Sequence, residues 1–428
     1  MKTNLYHNLR LGLFPVVLGL TSVFMGGIVN RVMIVELDIP TSLVGLFFSL
    51  PLFVSPIRIW LGYRSDAYPI FGLRREPFII LGDLAASLGT IAVTLLILRI
   101  EIQSPAWMLG ASLAFIGYGI GRSLSSNTFE ALQADKFDGE ARPKAVAFLK
   151  VAMFIGIIGG SVVLGNIFLT FSFEKLLRVV VGVGIISTVV TVISIVFQEP
   201  RRPETAVESQ QARQFTFWYT FNTFIWPDRQ IRLFFFFVML TVIGTLAQDV
   251  ILEPYAAFVL DMNVGQTTRL TAIWGTGTLL AMLASGGWLI NRFGYQPVLK
   301  AGLWLGVLVF IGLIFSGFIV SISLFWTLVF LLGISTGLSA AAMLTAVIEF
   351  TTPARAGLLM GVWGLAHNFG QALGSLLSGT LIDLVRVLQG NVLTAYGFVF
   401  AVEAGMLLIA LGLFRRIKIQ EARVLAET

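Results

Sequence analysis

Apolar runs of about twenty residues alternate along the chain with short polar connections. Each run is long enough to cross ~30 Å of hydrocarbon as a helix, the form that keeps its backbone polar groups paired in lipid. The runs fall at 11–30, 42–60, 78–98, 107–128, 145–170, 176–197, 233–256, 270–290, 298–319, 324–345, 357–380 and 393–414. They predict an all-α membrane protein with about twelve spans. The longest polar connection, Gln198 to Arg232, contains Glu199-Pro200-Arg201-Arg202-Pro203-Glu204 and separates two six-helix bundles, 1–197 and 233–428, leaving 198–232 as the linker. Near its end Phe215, Phe217, Trp218, Tyr219, Phe221, Phe224 and Trp226 crowd together without a charge. Rings of that density favour the headgroup level, so the segment reads either as an interfacial helix ended by Pro227 or as a docking surface for a partner membrane protein.

The two halves repeat one another. Gly119-Ile120, Leu124-Ser125 and Asp135 recur 214 positions later as Gly333-Ile334, Leu338-Ser339 and Glu349. Gly156, Gly160-Ser161 and Gly165 recur at the same offset as Gly370, Gly374-Ser375 and Gly379. Small residues at such positions let helices approach closely, and duplicated halves predict two pseudo-symmetric bundles with a ligand site between them near midplane.

Composition supports the bilayer as solvent: 57% of the 428 residues are hydrophobic and 12% charged, with a mean hydropathy of +0.88. The first run is full length and lacks a small-residue cleavage site, so no cleavable signal peptide is expected. A net charge of +6 and a pI near 9.7 raise the question of nucleic acid, but the basic residues follow membrane topology instead. With a cytoplasmic N-terminus, 20 of the 29 lysines and arginines fall in segments on that side, 6 on the opposite side or its helix ends, and Arg58, Arg122 and Lys150 within the runs. That bias predicts both termini in the cytoplasm and no nucleic-acid partner. The absence of cysteine excludes disulfides, iron–sulfur ligation and thiol catalysis. No zinc-protease, phosphate-loop or nucleophile-elbow motif occurs, so neither an enzyme nor a metal site is expected.

Two loops carry a related pattern. The first runs from Gly62-Tyr63-Arg64-Ser65-Asp66 to Gly72-Leu73-Arg74-Arg75, and the second is Gly287-Trp288-Leu289-Ile290-Asn291-Arg292-Phe293-Gly294. Each resembles the loop joining the second and third helices of either half of a major facilitator superfamily transporter. The first departs from that pattern in lacking Arg directly after Asp66. The resemblance implies a gating role for Arg58, Gly62, Asp66, Arg74, Arg75, Asn291 and Arg292. Glycine would admit a close neighbour while acid and arginine bridge helix ends. The same residues also read as ordinary positive-inside charges.

Intramembrane polar groups are costly and mark function or pairing. The first run ends in Asn30-Arg31 with Glu36, and the seventh in Gln248-Asp249 with Glu253, an amide, a charge and a glutamate in each. Helical spacing puts such groups on neighbouring positions, where they either meet a guest or lock the halves together. Arg58 and Arg122 are permanent cations suited to a ligand carboxylate or carbonyl, or to Asp66 and Glu130. His367 lies beside Asn368 and Gln371 and either bonds across helices or ligates a metal or pigment, whereas His7 is terminal.

Taken together, Asn30-Arg31-Val32-Met33 with Glu36-Leu37, Arg58, Gly62, Ser65-Asp66, Gly72, Arg74-Arg75 and Pro77 resemble the PucC-like family of light-harvesting-complex assembly and bacteriochlorophyll-delivery proteins. Gln248-Asp249, Leu252-Glu253-Pro254-Tyr255, Val264-Gly265, Thr267-Thr268 and Leu270-Thr271 carry the resemblance through the second half. It implies a protein of a phototroph's thylakoid, inner or intracytoplasmic membrane that handles chlorophyll or bacteriochlorophyll and meets antenna or photosystem apoproteins. The expected ligand-facing residues are Asn30, Arg31, Glu36, Arg122, Gln248, Asp249, Glu253 and His367. Two other readings stay open: a proton-coupled transporter of a small amphipathic solute, with Glu36, Asp249 or Glu253 as carrier, and a scaffold that no longer transports.

Overall fold

The computed structural model describes residues 5–57, 61, 65, 68–99, 104–137, 139, 141–199, 226, 229–350 and 356–417. Arg58, Gly62, Asp66 and the aromatic segment 215–224 lie outside the described residues.

Among the described residues, ten helices are long and apolar enough to cross a membrane. They are α1 (His7–Glu36), α3 (Glu76–Arg99), α5 (Ala141–Ile167), α6 (Phe173–Ile195), α7 (229–260), α8 (Val264–Phe293), α9 (Tyr295–Ile319), α10 (Ile322–Phe350), α11 (Ala356–Gln389) and α12 (Val392–Phe414). The shorter α2 (Thr41–Phe53) and the more polar α4 (Pro105–Lys136) fill the two remaining places in the predicted order of twelve. Side-chain caps set several starts. Ser104 accepts from Trp107 N at 3.2 Å ahead of Pro105, and Asn263 and Gln266 exchange bonds of 2.9 Å in a capping box.

Three helices depart from regular geometry: α8 widens to π-helix over Ser285–Leu289, and α1 and α7 are irregular where their polar residues sit. α1 widens to π-helix over Val23–Val29 and again over Val32–Glu36. α7 stops at Leu246, tightens into a 3₁₀ turn at Ala247–Asp249, and resumes at Leu252–Leu260 with Pro254 in its first turn. Such interruptions inside a bilayer expose backbone groups and are tolerated where protein surrounds them.

The chain forms two compact units: Met1–Met33 with Leu50–Phe215, and Ile34–Ser49 with Thr216–Thr428. In the first, Leu11, Phe14, Leu18, Ile79, Phe129 and Leu132 build one buried cluster, with the Phe14 and Phe129 rings 4.6 Å apart. In the second, Tyr255 packs edge-on to Phe400 at 5.2 Å, and Phe310 stacks on Phe400 at 6.1 Å.

The repeated glycines do the same work in each unit. A Cβ at Gly156 on α5 would strike the Val16 carbonyl of α1, and one at Gly370 on α11 would lie 2.8 Å from the Met239 carbonyl of α7. One turn on, Gly160 faces Leu20 and Gly374 faces Ala247. Gly119 lies against Pro51 of α2, and Gly333 against Trp274 of α8. The offset of 214 thus marks matching close helix contacts.

Ile34–Ser49 belongs to the second unit through α11. The Asp383 carboxylate accepts the Thr41 and Ser42 N–H groups at 3.2 and 2.7 Å, capping α2. Beside it Gly45 meets the Ser375 carbonyl and Gly379 meets the Thr41 carbonyl, both too close for a side chain.

Candidate functional site

The loop before α3 is built around a two-residue turn. Ile70 and Leu73 exchange backbone bonds of 3.0 Å, and Phe71 and Gly72 between them both take positive φ, 54° and 77°. The chain therefore reverses tightly and presents Arg74 and Arg75 to the end of α6. There two glutamates interlock. Glu199 accepts the N–H groups of Arg74, Arg75 and Glu76 at 2.8, 2.9 and 3.3 Å, while Glu76 accepts those of Phe197 and Glu199 at 3.1 and 2.6 Å. Glu199 thus sits on the unsatisfied donors of the α3 N-terminus, where a carboxylate is most favourable, while Glu76 takes the N–H groups of the chain just past the end of α6. Arg75 adds an ion pair to Asp135 of α4 at 2.9 Å and a bond to Ser65 at 3.2 Å. The second loop is built differently: Asn291 and Arg292 are exposed, and Arg292 lies 5.7 Å from the Trp288 and Phe293 rings.

Within the first unit, Asn30 and Arg31 are buried on the distorted part of α1. Glu36 is exposed and falls in the second unit. Arg122 of α4 is half-buried and donates to Thr21 Oγ1 at 3.0 Å, Leu18 O at 3.0 Å and Ser22 Oγ at 2.7 Å, all on α1. It does not turn to Glu130, which lies about 12 Å further along the same helix and is exposed. Arg122 also acts electrostatically on Asp83 of α3, a buried acid whose oxygens accept from Ser187 of α6 at 2.9 and 3.1 Å. The result is a polar seam through α1, α4, α3 and α6.

Within the second unit, Gln248 is buried and donates to Thr245 O at 3.3 Å and Asp249 Oδ1 at 2.9 Å. Asp249 is an exposed residue whose Oδ1 is taken by the Gln248 amide. Glu253 is buried and accepts from Thr271 of α8 at 3.0 Å. Regular helical spacing would put these groups on one face. The 3₁₀ turn changes the angle per residue, so Asp249 is exposed while its neighbours are enclosed. His367 of α11 is half-buried, its ring 5.7 Å from that of Trp363 one turn earlier. Trp363 Nε1 is buried without a hydrogen-bond acceptor among the described residues.

Besides Glu76 at the head of α3, two buried acids were not among the expected site residues, Asp83 of α3 and Glu403 of α12. Each is the lone charge inside a strongly apolar run, a signal that can be read from sequence.

Comparison with known proteins gives these geometries a family. Among curated proteins, the chain is 33% identical over 420 residues to the uncharacterized protein in the puhA-bchM intergenic region of Rhodobacter capsulatus, covering 94% of this chain and 87% of the relative. It is 31% identical over 418 residues to protein PucC of Rhodobacter capsulatus, covering 94% and 90%. It is 27% identical over 417 residues to the bacteriochlorophyll synthase 44.5 kDa chain of that species, covering 94% and 92%. Solved structures share the fold. A bacterial homologue of the human lysosomal transporter Spinster matches with a TM-score of 0.74 at 15% identity, over 99% of this chain and 98% of that one. The xylose transporter XylE from E. coli matches with a TM-score of 0.70 at 16% identity, over 98% of each. The architecture is therefore the major facilitator fold. The family model described as PUCC protein matches residues 28–422, so this chain, an integral multi-pass membrane protein, belongs to the PucC family.

Proposed function

We propose that this protein handles chlorophyll or bacteriochlorophyll while light-harvesting or photosystem complexes are assembled, in a phototroph's thylakoid, inner or intracytoplasmic membrane with both termini cytoplasmic. The observation that carries the reading is end-to-end similarity, over 94% of this chain, both to PucC and to a protein named as a chain of bacteriochlorophyll synthase. The chemistry of the chain supports it. A chlorin needs an apolar surround, about one further N or O ligand for its magnesium, and donors for its carbonyls. His367 offers an imidazole beside an indole face, with the Trp363 N–H as an adjacent donor. Asn30, Arg31, Glu36, Arg122, Gln248, Asp249 and Glu253 are the further polar candidates for pigment contacts, and Arg74, Arg75, Asn291 and Arg292 for control of the loops. An absorption spectrum of the detergent-purified protein tests this directly. Bound pigment or a co-purifying antenna protein is expected, and deletion of the gene should lower assembled complexes while pigment synthesis continues. A pigment-free preparation together with unchanged complexes in the deletion strain refutes it.

The fold shared with solute transporters, together with acids inside the spans, favours a second reading as a proton-coupled carrier of a small amphipathic solute. It requires flux driven by a pH gradient in proteoliposomes and abolished by Glu253→Gln. Flux indifferent to the gradient removes it.

A further inference from the structure

Glu403 stands in the interior of the second unit, 2% exposed, and neither of its carboxyl oxygens has a hydrogen-bond partner among the described residues. α12 and α7 run antiparallel in a constant register. Phe237 meets Phe414 at 5.2 Å, Gly244 lies against Leu407, and Tyr255 meets Tyr396 at 5.6 Å. Each pair is centred on the same point of the sequence, which puts position 403 level with position 248. Gln248 there spends its amide N–H groups on Thr245 and Asp249, and its Oε1 is buried without a donor. Two enclosed acceptors thus share one level, with no donor to either among the described residues. A carboxylate in that setting has an uncompensated charge, whereas the neutral acid has none and gains an O–H donor of its own.

We infer that Glu403 is a proton-binding site of the second unit, level with the break in α7 and reached through Asp249. Asp249 is an exposed residue, its Oδ1 accepts from Gln248 on that level, and its carboxyl is the group through which a proton passes inward and returns. The other ionisable groups on the elements packed against α12 are otherwise engaged or distant. Arg229 and Arg232 lie in the first turn of α7, Glu253 is bonded to Thr271, and Lys300 lies over Phe414 at one end of α12. On α11, Asp383 caps Thr41 and Ser42, Arg386 lies over Phe258, and His367 lies against Trp363. No group of three or more His, Asp or Glu residues able to hold a metal occurs among the described residues. The site does not depend on what the protein carries.

Infrared difference spectroscopy of the full-length purified protein, titrated with acid and base, tests the assignment. A protonated-carboxyl C=O band should titrate in the wild type, disappear in Glu403→Gln, and change its midpoint in Asp249→Asn. Glu403→Asp keeps a carboxyl at the site and should move the band, which covers the case of a Gln variant that does not fold. A band unaffected by both Glu403 variants overturns the inference. So does a band that responds to sodium at constant pH in place of acid.

Discussion

Single carboxylates hold single helix ends in this protein, and two of them make sharp predictions. Glu199 takes three backbone N–H groups at once and Asp383 takes two. Removing such an acceptor leaves donors of a helix N-terminus unanswered, which costs about 1–2 kcal/mol. Glu199→Ala and Asp383→Ala should each lower the thermal midpoint of the detergent-solubilised protein, while Glu174→Ala should not. Among the described residues Glu174 pairs only with Arg178 four residues on, at 3.4 Å, with both side chains largely exposed. The loop ion pair is a separate case. A double-mutant cycle on Arg75 and Asp135 should give a coupling of about 0.5–1 kcal/mol, modest because Asp135 is open to solvent.

At the scale of elements, the repeated glycines that pack stand apart from other glycines that do not. Gly156→Ala and Gly370→Ala each drive a methyl into a backbone carbonyl of the neighbouring helix, so a loss of about 1–3 kcal/mol is expected at equivalent places in both halves. Gly159 and Gly405 have open space around the missing Cβ, so alanine there should leave stability within about 0.5 kcal/mol of wild type. Unfolding of the four variants side by side checks the contrast. The helices themselves were legible from hydropathy, because twenty-residue apolar runs have few alternatives in a bilayer. The π segments of α1 and the 3₁₀ break of α7 were not, since they depend on what packs around them. The amide, charge and glutamate of each half were found by spacing, yet their exposure differs because the local geometry departs from a regular helix. The Glu76–Glu199 clasp joins residues 123 apart in sequence, and no local pattern announces it.

For the whole molecule, the fold and family rest on similarity along nearly the full chain, and the duplication is visible in matching helix contacts. If pigment is the guest, Trp363→Ala and His367→Ala should each weaken pigment retention by about tenfold or more without unfolding the protein, read as the pigment-to-protein absorbance ratio. Sequence pointed to His367 because imidazole is rare in this chain. It passed over Glu403, although a lone charge in the apolar run of α12 is itself a signal.

The membership of Ile34–Ser49 in the second unit has a practical consequence for dissecting the protein. A polypeptide beginning after the long linker omits this stretch, and with it the partners of Asp383, Ser375 and Gly379. Produced alone, that fragment should be degraded; supplied in trans with the amino-terminal fragment, it should accumulate. On that outcome the repeated halves are not modules that can be separated at the seam the sequence suggests.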